Sequence, residues 1–348
     1  MQNNPFTLIF GIEPMSSIPR NEEFFHITSD FESVRPASPG YVVTGVRGCG
    51  KTVLMTSIQK YFAEKNDWIV LRLNPDLDLF SSAVSQLGEY IHLKDLVSEV
   101  SLSIAGFGGS ASVRSLSDNE TLLRKMLKEA GKRKKRVLIT IDEASNTKEL
   151  KTFAHSYQAF IGEGLPLFLL MTALPENFSA LSNSKNGTFL KRLPKVRLGA
   201  LSDILVGEKY KEIFGIPDET AIEFAKTVRG YSYAFQLLGS LLWDAGKKAI
   251  DAEIISRLDS LLYDGSYEAI WKNVTNKEKQ VLCAIAHSSL HTVREIRDIL
   301  RMETNQFSPY RENLKERGLI NTDSYGIITF SLPRFEEFVL KAELFAMT

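Results

Sequence analysis

The first two hundred residues alternate two textures of apolar residue. Short unbroken runs rich in β-branched and aromatic side chains occur at 41–44, 68–73, 136–141 and 167–172, with a shorter one at 196–198. Between them lie stretches of helical character such as 52–64. Runs apolar on both faces suit strands buried in a parallel sheet, and the stretches between them suit crossover helices. The pattern predicts an α/β domain over 1–200, a three-layer αβα arrangement about a parallel sheet.

After residue 201 the strand texture disappears. Helical patterns over 203–214, 218–228, 233–243 and 252–271, with Gly230 as a helix stop, predict a small helical domain over 201–272. Residues 273–348 form a third unit. There Thr275 with Glu278, and Thr292 with Glu295, read as capping boxes that open two helices. The first would bury Val281, Leu282, Ala284 and Ile285, and the second Ile296, Ile299 and Leu300. A third helix over about 305–317 carries Phe307, Tyr310 and Leu314 on one face and ends at Gly318. Two β-type runs, 319–322 and 327–330, then bracket Ser324-Tyr325-Gly326 as a hairpin. Three helices and a hairpin predict a winged helix-turn-helix, whose third helix would be the one to enter a DNA groove. Residues 101–113 alternate apolar and small residues around Gly108-Gly109 and read either as a hairpin for partner contact or as a solvent loop.

Candidate chemistry begins directly after the first strand. Gly45-Val46-Arg47-Gly48-Cys49-Gly50-Lys51-Thr52 follows the G-x-x-x-x-G-K-[ST] pattern between a strand and a helix, the context the motif requires. Its glycines let backbone N–H groups wrap a phosphate chain at a helix N-terminus. Candidate nucleotide contacts therefore run from Gly45 through Val53, with Lys51 reaching the β- and γ-phosphates and Thr52 ligating Mg²⁺. The run at 136–141 ends in Asp142 and Glu143, at the strand end where α/β sheets bind ligands. Asp142 would hold the Mg²⁺ shell through water, and Glu143 would polarise the attacking water. These residues predict Mg²⁺-dependent ATP binding and hydrolysis.

Composition narrows the setting. Over 348 residues, 42 basic and 42 acidic side chains balance, so no global field draws the chain to nucleic acid or membrane. The basic run 132–136 precedes the acid-bearing strand and reads as a solvated turn at the far end of the sheet. Cys49 and Cys283 differ in setting and suggest neither a disulfide framework nor a metal site. The longest apolar stretch, 165–174, is too short to span a bilayer, and a cytoplasmic location is expected.

With these parts in order, the chain resembles an AAA+ ATPase of the replication-initiator type, near the STAND NTPases. The resemblance rests on residues 45–52, on Ile139-Thr140-Ile141-Asp142-Glu143-Ala144, and on Gly230-Tyr231-Ser232-Tyr233-Ala234-Phe235-Gln236-Leu237-Leu238-Gly239. Tyr310-Arg311-x-x-Leu314 and Arg317-Gly318-Leu319-Ile320 add to it, as do Asn4-Pro5-Phe6 and Ile18-Pro19-Arg20-Asn21, which look like the segment lining the adenine pocket. The likeness implies strand order 5-1-4-3-2, a helical lid, and ATP and ADP as ligands, with a homo-oligomer or a protein as partner. It makes Thr172 a sensor of the γ-phosphate or attacking water, against a plain turn residue before Pro175. It makes Arg192 an arginine finger, against an ordinary surface arginine. Two departures stand out. The position where initiators carry the sensor 2 arginine is Tyr233, with Arg229 as the nearby substitute, and the lid reads Gly-Tyr-x-Tyr as in the relatives. Duplex DNA would meet residues 304–330. Yet 273–348 hold ten basic and ten acidic residues, so a protein-facing role for this unit stays open beside it.

Overall fold

The computed structural model describes residues 3–8, 14–91, 116–184 and 187–347. The stretch 101–113, with its two readings, lies outside them. Two compact bodies divide the chain. One comprises Arg20–Thr44 and Lys51–Arg197, the other Met1–Pro19, Gly45–Gly50 and Leu198–Thr348.

The first body is built on five strands: β1 (Gly40–Thr44), β2 (Trp68–Leu73), β3 (Arg136–Ile141), β4 (Leu167–Ala173) and β5 (Lys195–Arg197). They pair in parallel in the order β2-β3-β4-β1-β5, which is the expected order read from the other edge. β1 and β4 are buried along their whole length, as their unbroken apolar character predicts. Alternation then sorts the side chains. Val42, Ile69, Val137, Ile139, Leu169 and Met171 enter a core with the helices α3 (Leu79–Tyr90), α4 (Leu116–Lys132), α5 (Lys148–Gly162) and α6 (Pro175–Asn183). Trp68 and Phe168 lie on the opposite face, in an aromatic cluster with Phe31 of α1 (Asn21–Glu32) and Phe62 of α2 (Lys51–Ala63). Thr140, Asp142 and Thr172 share that parity, so they emerge on the side where α2 packs.

In the second body α7 (Asp203–Phe214), α8 (Asp218–Val228) and α9 (Ser232–Ala245) appear close to their expected bounds. The expected helix 252–271 is interrupted. α10 (Ala252–Leu262) passes through a π-turn, Tyr263–Tyr267, before α11 (Glu268–Lys272). Such a turn inserts one residue into the helical register. Gly230 has φ +64, and a Cβ there would clash with the Leu201 carbonyl, so the stop needs glycine for both space and conformation.

The C-terminal part contains α12 (Asn276–His287), α13 (Val293–Leu300), α14 (Thr304–Glu316), the hairpin β6 (Ile320–Asn321) and β7 (Thr329–Phe330), and α15 (Phe335–Met347). A bridge from Thr292 to Ile327 adds a third partner to the hairpin, completing a winged-helix arrangement. Thr275 and Glu278 form the expected capping box. Thr292 and Glu295 do not form one. Thr292 accepts from the Glu295 N–H, but the Glu295 carboxylate turns away to Ser288 and to the N–H groups of Ser289 and Leu290. Ile299, expected in the core, is 46% exposed. α15 is an element the sequence reading did not foresee. The helices after residue 201 share one hydrophobic core with Phe6, which stacks on Phe214 and fills the space left by Gly239.

Candidate nucleotide site

β1 ends at Thr44 and α2 begins at Lys51, so the phosphate-loop motif occupies the turn between a buried strand and a helix N-terminus. Gly45, Gly48 and Gly50 take φ values of +157, +78 and +98, all in regions that favour glycine. Lys51, Thr52 and Val53 form the half-buried first turn of α2. Cys49 is buried.

At the carboxyl ends of β3 and β4, register aligns Ile141 with Met171, which brings the next residues, Asp142 and Thr172, together. The Thr52 hydroxyl donates to Asp142 Oδ2 at 2.9 Å, and the Thr172 hydroxyl donates to Asp142 Oδ1. The Glu143 N–H is shared between Asp142 Oδ1 at 3.1 Å and Thr172 Oγ1 at 3.0 Å. Glu143 itself has φ +53, a left-handed conformation that costs a non-glycine residue roughly 1 kcal/mol or more. Hydrogen bonds on both sides hold it there, because the Ala144 N–H also donates to the Thr172 carbonyl at 2.7 Å. The Glu143 side chain is exposed at the strand end. Thr172 is fully buried; its hydroxyl donates to the Asp142 carboxylate and accepts from the Glu143 N–H.

Arg192 closes the short 3-10 turn Thr188–Arg192 and is exposed. Arg229 directs its guanidinium toward the Phe330 carbonyl at 3.5 Å, in the hairpin of the C-terminal part. Tyr233 is different: its N–H donates to the Gly48 carbonyl at 3.1 Å. Its neighbours reach the same loop. The Tyr231 hydroxyl donates to the Arg47 carbonyl at 2.7 Å, and the Ser232 hydroxyl to the Cys49 carbonyl at 3.1 Å. Tyr231, Ser232 and their support from the π-turn were not singled out by sequence reasoning. The Gly-Tyr-x-Tyr phrase was visible, but nothing in a tyrosine's spacing says which carbonyl it will meet.

Two observations test whether this arrangement suits a Mg²⁺–nucleotide. Thr52 and Asp142 offer hard oxygen donors, the kind Mg²⁺ takes alongside retained waters. Arg47 Nε is buried and has no hydrogen-bond partner among the described residues, a cationic donor suited to an anion at the loop. The residues fit.

In the C-terminal part several basic side chains on and beside the third helix are paired with acids. Arg311 pairs with Glu312 at 2.7 Å, Arg297 with Glu303 at 3.5 Å and Arg294 with Asp298 at 4.0 Å. Arg317 is drawn inside, paired with Glu278 at 3.5 Å. Tyr325, at the hairpin tip, is fully exposed. No helix among the described residues is long and apolar enough to cross a membrane.

The family described as Domain of unknown function (DUF8462) matches residues 264–339. No curated protein matches the chain. Among solved structures, the chain is similar to the Walker-type ATPase PABY2304 of Pyrococcus abyssi, with a TM-score of 0.65 and 15% identity over 93% of this chain and 96% of that one. It is similar to the ORC2 protein of Aeropyrum pernix in its ADPNP–ADP complexes, with a TM-score of 0.57 and 11% identity over 94% and 95%. It is also similar to Cdc6p from Pyrobaculum aerophilum, with a TM-score of 0.52 and 16% identity over 99% of both chains. The chain has the AAA+ fold, with a C-terminal helical region matching that of the Cdc6 and ORC proteins.

Proposed function

We propose that this chain is a Mg²⁺-dependent ATPase whose phosphate loop, Gly45 to Thr52, grips the nucleotide. The observation that carries the reading is the Asp142 carboxylate, held between the hydroxyls of Thr52 and Thr172 beside the strained Glu143. Lys51 supplies the cation for the β- and γ-phosphates. Thr52 and Asp142 would hold Mg²⁺, which when bound offsets phosphate charge. Glu143 accepts a proton from the attacking water, and the Thr172 hydroxyl fixes the backbone that aims Glu143. The ADPNP and ADP complexes of ORC2, a protein of the same fold, support nucleotide as the ligand class. Arg192 serves as the arginine finger only in an oligomer, where a neighbour would receive it.

For the C-terminal winged helix the ion pairs favour a surface for protein over one for duplex DNA, because arginines already paired with acids release fewer counterions from phosphate. Titration of a fluorescent ATP analogue, with and without Mg²⁺, tests the principal reading. Saturable Mg²⁺-dependent binding and slow phosphate release are expected. Absence of binding would overturn it.

A further inference from the structure

Three successive carbonyls of the phosphate loop are held by three successive residues. Arg47 O receives the Tyr231 hydroxyl, Gly48 O the Tyr233 N–H, and Cys49 O the Ser232 hydroxyl. A trans peptide points its C=O and the following N–H in opposite directions. Fixing these carbonyls on one side therefore turns the N–H groups of Gly48, Cys49 and Gly50 to the other. Cys49 N–H also closes the turn onto Val46 O, at a long 3.3 Å. The approach demands glycine: a Cβ on Gly48 would stand 2.5 Å from the Tyr231 hydroxyl and 2.9 Å from Tyr233 Cβ.

The direction of the protons follows from chemistry. A carbonyl only accepts, so Tyr231 must spend its one O–H on Arg47. Its second neighbour, Ser266 Oγ at 2.8 Å, must then donate to it. Tyr231 is 4% exposed and Ser266 1%, and burial pushes the Tyr231 phenol well above its ordinary value, so it remains a donor at any working pH. Ser266 belongs to the π-turn, whose inserted residue is a frequent mark of function.

We propose that Tyr231 is a positioning residue for the nucleotide. Its hydroxyl, oriented by Ser266, sets the peptide planes of the phosphate loop so that the N–H groups of Gly48 and Gly50 face the phosphates before nucleotide arrives, while the Cys49 N–H closes the turn. This rests on the ATP-binding reading above and adds to it the group that pre-organises the cradle. The loop binds phosphates common to ATP and ADP, so both nucleotides depend on the tyrosine alike.

The test uses the full chain and three variants. Tyr231→Phe removes only the hydroxyl. Ser266→Ala removes its orienting donor. Tyr210→Phe is the matched control, because Tyr210 is buried in the same core and donates to the Phe235 carbonyl at 2.8 Å, away from the loop. Nucleotide titration should show ATP and ADP weakened about tenfold by Tyr231→Phe and about threefold by Ser266→Ala, the scale of one lost buried hydrogen bond. Tyr210→Phe should lower the melting temperature similarly and leave affinity unchanged. Without nucleotide, the amides of residues 48–50 should exchange faster in Tyr231→Phe than in Tyr210→Phe. Equal affinity and equal exchange in the two tyrosine variants would overturn the proposal. A wild-type chain that binds neither nucleotide would sink the ATP reading itself, and the exchange comparison would still decide whether Tyr231 sets the loop.

Discussion

At the carboxyl ends of β3 and β4 one carboxylate, Asp142, serves three donors and stays half open, with the strained Glu143 exposed beside it. In the C-terminal part the ion pair of Glu278 and Arg317 has side chains only 1% and 6% exposed, and Glu278 also accepts from Asn313 and from the Thr275 N–H. Both regions concentrate polar groups, but under different constraints. On the proposed reading the first set would exchange its hydroxyl donors for a metal and phosphate. The second is sealed, and removing one member of a buried pair costs roughly 3–5 kcal/mol. The half-open, mutually bonded set is the one where the proposed ligand would enter. Polar groups that are closed and saturated mark where geometry is kept.

The comparison can be broken most severely at Lys51. Lys51→Ala should weaken ATP by more than about a hundredfold, since it removes a charge-assisted contact to phosphate, with an unchanged circular dichroism spectrum. Wild-type affinity in a fluorescent-nucleotide titration would refute the assignment. Glu143→Gln keeps size and hydrogen bonding but removes the charge that activates water. It should retain ATP and lose turnover by about a hundredfold or more, measured as phosphate release. Unchanged release would refute Glu143 as the group that activates water. Thr172→Val keeps the shape and removes the hydroxyl that serves Asp142 and Glu143. About a tenfold fall in turnover, with affinity retained, is expected from one lost hydrogen bond.

The smallest effect is expected at the winged helix. Replacing Arg311 and Lys315 together with Ala should leave the salt dependence of any duplex binding unchanged if this surface meets protein. A slope flattened by roughly two units would restore the DNA reading.

Much of the first body was legible because its signals are local. Strand runs apolar on both faces gave the sheet, and the glycine-lysine spacing gave the loop between β1 and α2. The Asp142–Thr172 pairing was less visible, since 30 residues separate them and only strand register brings them together. The motif pairs Thr52 with Asp142 across 90 residues of sequence, and the structure joins them by a hydroxyl–carboxylate bond. The second body hid more. The π-turn has no periodicity of its own and sits inside a continuous helical pattern. The Glu295 box failed because another set of donors, Ser288 to Leu290, takes the carboxylate. Ile299 obeyed helical spacing but fell at the edge of the buried stripe.

The π-turn has a practical consequence for dissecting the protein. The sequence family that matches the C-terminal part starts at residue 264, inside that turn. Ser266 there bonds to Tyr231, while the next residue, Tyr267, is fully buried and donates to the Pro333 carbonyl. The matched region thus begins in the middle of a shared interior. A fragment cut at 264 would carry Tyr267 and Phe335 away from Tyr231 and Leu262, baring a seam that the intact chain never shows to water. What looks like a transferable cassette in sequence is, in physical terms, one half of a joint.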